Sequence, residues 1–338
     1  MCLAYKPFII LHFYNIVCIY FCIEIMKGEI KMKDFNPEGT LINTEENKKY
    51  LSNINSLQIA HSLNIVLEAN VVMCDAEHNL IVDLGCMKGI IPRDEGAIGI
   101  KEGITRDIAL ISRVGHAVAF IVTGFKTDSV GKEYALLSRR AAQEMCIEYI
   151  VNNKTIGDII TVTVTHLESF GAFCDIGCGN IALMPIDTIS VSRISHPKDR
   201  FVVGDSIKAV IKKIDVDNKI TLSHKELLGT WQENVSSFCA GQTVSGIVRS
   251  IEDYGIFVEL TPNLAGLAEP KENVKVGQCT SVFIKSIIPE KMKIKLIIID
   301  AFETACDYTY NYFYSGNHID EFIYSPPECT KQISTYFK

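Results

Sequence analysis

The sequence predicts a mainly β protein built from three small closed barrels in tandem, joined by short helical linkers. Two observations favour this architecture: β-branched residues alternate with polar ones at a period of two, and the same glycine spacing recurs along the chain. The chain has 338 residues, of which 48% are hydrophobic and 22% are charged, a composition typical of globular proteins. This length is enough for two or three domains.

The glycine spacing indicates an internal repeat. Gly157 and Gly171 are 14 positions apart, and so are Gly241 and Gly255. In each case the second glycine stands between aromatic residues, in "SFGAFCDIG" and "DYGIFVELT". Matched spacings of this kind indicate duplicated structural units.

We expect these units at 62–145, 154–228 and 237–301, with the first a weaker copy of the other two. Residues 141–153 and 227–239 are predicted to be the helical linkers, with Trp231 packed at a domain junction. The second unit has extra residues at 186–200, which we call the insert and expect to form a short helical turn or a loop. Residues 1–61 and 302–338 flank the three units as an N-terminal segment and an aromatic tail.

Within a unit the pattern is that of short antiparallel strands. Ile160, Val162 and Val164 alternate with threonines, and the pair Asp217-Asn218 is typical of a turn. About five strands in roughly 70 residues suit a closed barrel of the oligonucleotide/oligosaccharide-binding type, the OB-fold.

The first 31 residues are strongly apolar between positions 8 and 25, over a length that could span a membrane. They lack a small-residue cleavage pattern and have only Lys6 as a basic flank. Met26 and Met32 are each followed by sequence typical of a soluble N-terminus. We favour a mis-assigned start over a membrane anchor, and the sequence leaves both open.

The net charge of −7 limits how this chain could bind nucleic acid. An acidic protein has no overall attraction for phosphate, so binding would depend on local cations and on stacking. The twelve cysteines are scattered, which favours reduced thiols over a disulfide framework. Cys174 and Cys178 have no matching ligand pair nearby, so we expect no metal site and no cofactor.

The second and third units resemble the S1-type RNA-binding domain, the repeated OB-fold module of bacterial ribosomal protein S1. The resemblance is carried by "FGAFCDIG", "KIDVDNKITLSHKELLGTW", "DYGIFVEL" and "KIKL", and it covers roughly residues 62–301. As a whole the chain is similar to the S1-like proteins of low-GC Gram-positive bacteria. The resemblance implies aromatic rings on the barrel surface, on which unpaired bases stack, and nearby cations for phosphates.

The resemblance also implies which residues bind RNA. The stacking pairs would be Phe170 with Phe173 and Tyr254 with Phe257. An acidic–basic pair matches Asp215 and Lys219, and only its cation, Lys293, remains in the third unit, where Pro289 replaces the acid. Where the family often has a histidine, this chain has Pro185 and Glu269. His196, Lys198 and Arg200 of the insert could substitute.

Several alternatives stay open at this point. Aromatic residues on strands are often core residues, and three positions separate the two rings of each pair, so strict alternation would put them on opposite faces. A bulge at Gly171 would bring Phe170 and Phe173 to the same surface. Lys208, with Lys212 and Lys213, forms either an RNA-facing stripe or a solvated edge.

The first unit has His78 and Ile81 in place of the rings, which favours packing or ribosome docking over RNA binding. The tail could cap the third unit or bind a partner. No Walker loop, G-x-S-x-G or H-E-x-x-H motif occurs, and three barrels use up the chain, so we expect no catalytic activity.

The sequence therefore predicts a cytoplasmic, monomeric, non-catalytic protein that binds single-stranded RNA or mRNA in translation, with the small ribosomal subunit as partner. No small-molecule substrate is expected. The alternative is a protein-interaction or membrane-tethered adaptor whose barrels no longer bind RNA.

Overall fold

The computed structural model describes residues 35–303 and 311–337. In this part of the chain, fifteen strands form three closed five-stranded barrels, as the sequence predicts. Barrel 1 consists of β1 (Leu67–Cys74), β2 (Leu80–Asp83), β3 (Lys88–Ile91), β4 (Ala117–Thr127) and β5 (Glu133–Ser138). Barrel 2 consists of β6 (Ile159–Glu168), β7 (Gly171–Asp175), β8 (Ile181–Pro185), β9 (Ser206–Ile214) and β10 (Ile220–Ser223). Barrel 3 consists of β11 (Thr243–Glu252), β12 (Gly255–Thr261), β13 (Leu264–Ala268), β14 (Cys279–Ile288) and β15 (Lys293–Phe302).

The three barrels share one topology. In each, the first strand pairs with the second and fourth, and the third and fifth strands close the barrel as a parallel pair. The first strand carries a register shift at the same place in all three, at Val72, Thr165 and Arg249. Such a bulge increases the local twist, which helps a short sheet to close.

Within the described residues, five short helices accompany the barrels: α1 (Glu45–Leu51), α2 (Ile54–Ser62), α3 (Ile108–Ile111), α4 (Arg139–Asn153) and α5 (Trp231–Val235). The expected linkers are present as α4 and α5. The insert contains two 3-10 turns, Ile186–Thr188 and Pro197–Asp199, in agreement with the sequence.

The helices α1 and α2 were not predicted. Thr44 and Asn53 cap their N-termini through side-chain oxygens, which is the usual start signal of a helix. Leu57 and Ala60 of α2 are fully buried in the core of barrel 1. Both helices are too short to be stable alone, so packing against the barrel holds them.

Trp231 lies at a domain junction, as expected. It is 1% exposed and shares a hydrophobic cluster with Val210 of barrel 2 and with the interior of barrel 3. The aromatic tail completes this cluster through a two-stranded hairpin, β16 (Glu321–Ile323) and β17 (Ser334–Tyr336). The tail residues Ile319, Phe322, Tyr324 and Phe337 are buried there. The tail therefore caps barrel 3 and the junction.

Two groups of buried charges link successive barrels. Between barrels 1 and 2, the Arg139 guanidinium donates to both carboxylate oxygens of Glu38 at 2.7 and 2.9 Å, and the Glu38 backbone N–H donates to Asp175 at 2.8 Å. Between barrels 2 and 3, Arg200 of the insert donates to Glu259 on β12. Buried charges need such partners, so each pair fixes how two barrels meet.

The sequence also led to expectations about the apolar leader and the cysteines. The apolar leader lies outside the described residues, and among the described helices none is long and apolar enough to cross a membrane. Cys174 and Cys178 are buried free thiols, and no cluster of metal-ligating residues occurs in residues 35–303 and 311–337. Cys279, expected to be reduced, is in a disulfide.

The first prediction concerns the ion pair between barrels 2 and 3. Glu259→Ala should lower the free energy of unfolding by about 3–5 kcal/mol, because it leaves the buried guanidiniums of Arg200 and Arg249 without their carboxylate. Urea denaturation measures this loss. Glu269→Ala, which breaks the exposed pair with Lys285, is the matched control and should cost at most about 1 kcal/mol. Equal losses in the two variants would contradict the role given to Glu259.

The second prediction concerns pH. Glu68 is buried beneath the N-terminal segment, where one of its oxygens accepts the N–H groups of Gly39, Leu41 and Ile42, and burial raises its pKa to about 7. Because this pKa lies above the unfolded value, folding binds a proton here. The stability from Glu68 is complete below about pH 4.5 and is lost as the pH rises through 7. Glu68→Gln should flatten the decline in stability between about pH 5 and 8, measured by urea unfolding. The exposed variant Glu77→Gln should keep the wild-type slope.

Candidate nucleic-acid interface

The hairpin between β6 and β7 explains the pattern "SFGAF". β6 ends at Glu168 and β7 begins at Gly171, so Ser169 and Phe170 form the turn. A Cβ atom on Gly171 would lie 2.5 Å from the carbonyl oxygen of Met184 on β8, and one on Gly255 would lie 2.6 Å from that of Ala268. Glycine is required at both positions because the neighbouring strand approaches so closely.

The expected bulge at Gly171 is wrong. The bulge lies on the preceding strand at Thr165, whose hydroxyl donates to the carbonyl oxygen of Phe173 at 3.0 Å. Phe170 reaches the outer surface because it occupies the turn and is not bound by strand alternation. Phe173 faces outward from β7, between the buried Ala172 and Cys174. Both rings therefore share one surface, as the family resemblance implies, although without a bulge at Gly171.

The two ring pairs have nearly the same geometry. The ring centroids of Phe170 and Phe173 are 5.9 Å apart with an interplanar angle of 89°, and those of Tyr254 and Phe257 are 6.2 Å apart at 89°. Phe170 is 55% exposed and Tyr254 is 67% exposed, while the second ring of each pair is half-buried. The four rings therefore lie outside the barrel cores. An edge-to-face pair presents an open ring face to solvent, on which a base can stack.

Strand pairing defines a row of residues around the outside of each barrel, which we call the outer row. In barrel 2 it runs through His166, Phe173, Leu183, Thr221 and Lys213. In barrel 3 it runs through Ser250, Phe257, Leu267, Lys295 and Ser286. Each of these rows combines an aromatic ring, an aliphatic residue and one lysine, which suits bases and phosphates together.

The outer row of barrel 1 differs in kind. It consists of Met73, Ile81, Ile90, Leu136 and Gly124, and contains neither an aromatic ring nor a charge. His78 lies in the preceding turn with a positive φ of 63°. This surface cannot stack bases in the manner of the other two.

Sequence reasoning missed His166, the cross-strand partner of Phe173. Its ring centroid is 6.2 Å from that of Phe173, and its Nε2 lies 2.7 Å from a carboxylate oxygen of Glu168. A two-residue turn at 169–170 would have predicted this pairing.

The acidic–basic pair lies in the turn between β9 and β10. The Asp215 backbone N–H donates to the Lys219 carbonyl at 2.9 Å, and the Asp215 carboxylate forms an ion pair with Lys213. The Lys219 side chain is 80% exposed, with its ammonium 3.9 Å from Asp217. Lys293 is exposed at the start of β15. Both lysines are accessible to phosphate from solvent.

The remaining candidate cations have other neighbours. Lys208 is exposed but contacts the tail: its ammonium is 5.7 Å from the ring centroid of Tyr312, and its backbone N–H donates to the Tyr312 hydroxyl. Lys208 and Lys213 are exposed on β9, while Lys212 sits at a bulge and is half-buried. His196 accepts the Lys198 N–H at 3.1 Å as the cap of a 3-10 turn. Arg200 is buried against Glu259, so the expectation that it contacts phosphate is wrong.

The sequence of barrel 2 matches a known protein family. Residues 153–225 match the family model of the S1 RNA binding domain. The small ribosomal subunit protein bS1 of Leuconostoc lactis is 32% identical over 178 residues, which cover 48% of this chain and 41% of that protein. This chain therefore matches about two fifths of the length of that relative.

Two further similarities cover more of the chain. The small ribosomal subunit protein bS1 of Staphylococcus aureus (strain COL) is 26% identical over 293 residues, or 82% of this chain and 72% of that protein. Among solved structures, a multidomain protein with nucleic acid binding domains from Streptococcus pneumoniae is 16% identical, with a TM-score of 0.23, and covers 71% of this chain and 75% of that chain.

The third prediction separates surface rings from core rings. Phe170→Ala and Tyr254→Ala should each change the free energy of unfolding by no more than about 0.5 kcal/mol, because both rings are mostly exposed. Phe201→Ala, which removes a ring that is 1% exposed, is the matched control and should cost about 3–5 kcal/mol. Thermal and urea denaturation measure both. A large loss for Phe170→Ala would show that this ring stabilises the fold.

Proposed function

Since this chain is a member of the S1-like family, we propose that it is a non-catalytic protein that binds single-stranded RNA and acts in translation with the small ribosomal subunit. The observation that carries the proposal is the pair of edge-to-face rings, present with nearly the same geometry on barrels 2 and 3. Unpaired bases stack on such rings without regard to sequence.

The proposed site on barrel 2 combines stacking with charge. Phe170 and Phe173 supply the ring faces, and the Asp215–Lys219 turn supplies an exposed cation for the phosphate backbone. On barrel 3, Tyr254 and Phe257 take the same role, with Lys293 as the cation. His196 and Lys208 belong to the proposed set, although the cap and the tail tyrosine respectively contact them.

The net charge sets the expected strength of binding. At −7 the chain as a whole repels phosphate, so local cations and rings must supply the affinity. We expect weak binding, with salt dependence that corresponds to the few phosphates contacted. A translation factor with such affinity would engage unstructured mRNA reversibly. This role places the protein in the cytoplasm.

Barrel 1 has a different proposed role. Its apolar outer row cannot provide stacking, so we assign it to packing or to docking on the ribosome, in line with its departure from the sequence repeat. The alternative function, an adaptor whose barrels have lost RNA binding, would require the rings of barrels 2 and 3 to have another use. The next experiment distinguishes the two functions.

The fourth prediction tests RNA binding directly. The double variant Phe170→Ala/Phe173→Ala should weaken binding to oligo-U by about 5-fold to 150-fold, because the pair offers one open ring face and a single lost stack is worth about 1–3 kcal/mol. Filter binding at two salt concentrations measures the affinity. Phe302→Ala, which removes an exposed ring at the end of β15, is the matched control and should bind as wild type does. Unchanged affinity in the double variant, or no binding by the wild type, would favour the adaptor.

A further inference from the structure

The insert of barrel 2 (residues 186–200) lies on barrel 3. The Val191 N–H donates to the side-chain oxygen of Asn263 at 3.0 Å, and the Ser192 N–H donates to the carbonyl oxygen of Pro262 at 3.3 Å. At the C-terminal end of the insert, the buried Arg200 side chain donates to Glu259. The middle and the C-terminal end of the insert are therefore fixed to the β12 region of the next barrel.

These contacts attach the insert to the strand that carries Phe257. Glu259 follows Phe257 by two positions on β12, so the residue that anchors Arg200 is on the same strand as that ring. The Arg249 guanidinium donates to Glu259 at 2.9 Å and lies 3.8 Å from Asp199 of the insert. Arg249 immediately precedes Ser250, the cross-strand partner of Phe257.

The surroundings of this ring pair are acidic. Glu252 and Asp253 are exposed next to Tyr254 in the hairpin, and Glu269 follows β13. The buried arginines of the junction are balanced by Glu259 and Asp199. These carboxylates offset the exposed Lys293 and Lys295 of barrel 3, so cations from another element would strengthen phosphate binding at the rings.

The insert carries such cations on a fixed turn. Lys198 and Arg193 are exposed, while Pro197 between them is buried. His196 and Asp199 hold the turn as a capping box: the His196 Nδ1 accepts the Lys198 N–H, and the Asp199 carboxylate accepts the His196 N–H at 3.2 Å. A cation on a rigid turn loses less entropy on binding than one on a flexible loop.

We propose that the RNA site of barrel 3 is composite: Tyr254 and Phe257 stack the bases, and Lys198 with Arg193 of barrel 2 bind the adjoining phosphates. The inference rests on the proposed function and adds that this site exists only while the Arg200–Glu259 pair holds the two barrels together. In this proposal, the cations of the insert serve the rings of barrel 3 and not those of barrel 2.

The arrangement between barrels 1 and 2 is similar. Arg113 and His116, from the connection between β3 and β4, border a cavity of about 200 Å³ together with Thr163 and Thr165 of β6. Thr165 is bonded to the backbone of Phe173. In both cases, then, the connection between the third and fourth strands of one barrel lies against the next barrel.

Double-mutant cycles on the full chain test the composite site. Binding of a fluorescent oligo-U of about eight nucleotides, a length within the range one OB-fold covers, is measured by anisotropy for Lys198→Ala alone and in two ring-deleted backgrounds. Loss of one phosphate contact should reduce the salt slope by about 0.7, which is about 5-fold in affinity at 0.1 M salt. Lys126→Ala, which removes an exposed lysine on barrel 1, is the charge-matched control and should change little.

The background identifies the barrel that Lys198 serves. We expect the effect of Lys198→Ala to persist in Phe170→Ala/Phe173→Ala and to vanish in Tyr254→Ala/Phe257→Ala. The opposite pattern, or an equal loss in both backgrounds, would overturn the composite site while leaving RNA binding intact. Failure of the wild type to bind oligo-U at all would instead overturn the proposed function, and this inference with it.

Discussion

The meeting of barrels 2 and 3 depends on one buried carboxylate, that of Glu259. It is fully buried and accepts hydrogen bonds from Arg200 of the insert and from Arg249 of β11. Buried charges are stable only when each is paired with an opposite charge. Few other arrangements of the two barrels would pair Glu259 with both Arg200 and Arg249. The apolar cluster around Trp231 supplies attraction, and the ion pairs supply the specific geometry.

In barrel 2, the residue that corresponds to Glu259 also lies at the contact with the preceding barrel. Asp175 follows Phe173 by two residues, as Glu259 follows Phe257, and it is buried against Glu38 and near Arg139, with its pKa raised to about 6 by desolvation. The equivalent residue of barrel 1 is Asp83, which is exposed. The acidic residue two positions after the outward ring therefore lies where the preceding barrel packs. It is buried in barrels 2 and 3 because that neighbouring barrel covers it.

Much of the fold could be predicted because it depends on local patterns. Paired glycines and alternating β-branched residues indicate each barrel, and the aromatic–glycine turns indicate the outward rings. The burial of Arg200 could not be predicted, since its partner Glu259 is 59 residues away in another barrel. The bulge at Thr165 and the helices α1 and α2 were also missed, because tertiary contacts decide them. Lys208 is a similar case: it is exposed on β9, as its spacing predicts, but its contact with Tyr312 of the tail could not be predicted.

The hairpin of the tail has a consequence for synthesis. Ile319, Phe322, Tyr324 and Phe337 complete the hydrophobic cluster of barrel 3, although they follow its last strand by about 17 residues or more. Barrel 1, with a separate core, can close as soon as its own strands leave the ribosome. Barrel 3 must wait with part of its apolar surface uncovered until the later hairpin emerges. During that interval, the nascent chain is most exposed to aggregation at its third barrel and most dependent on chaperones there.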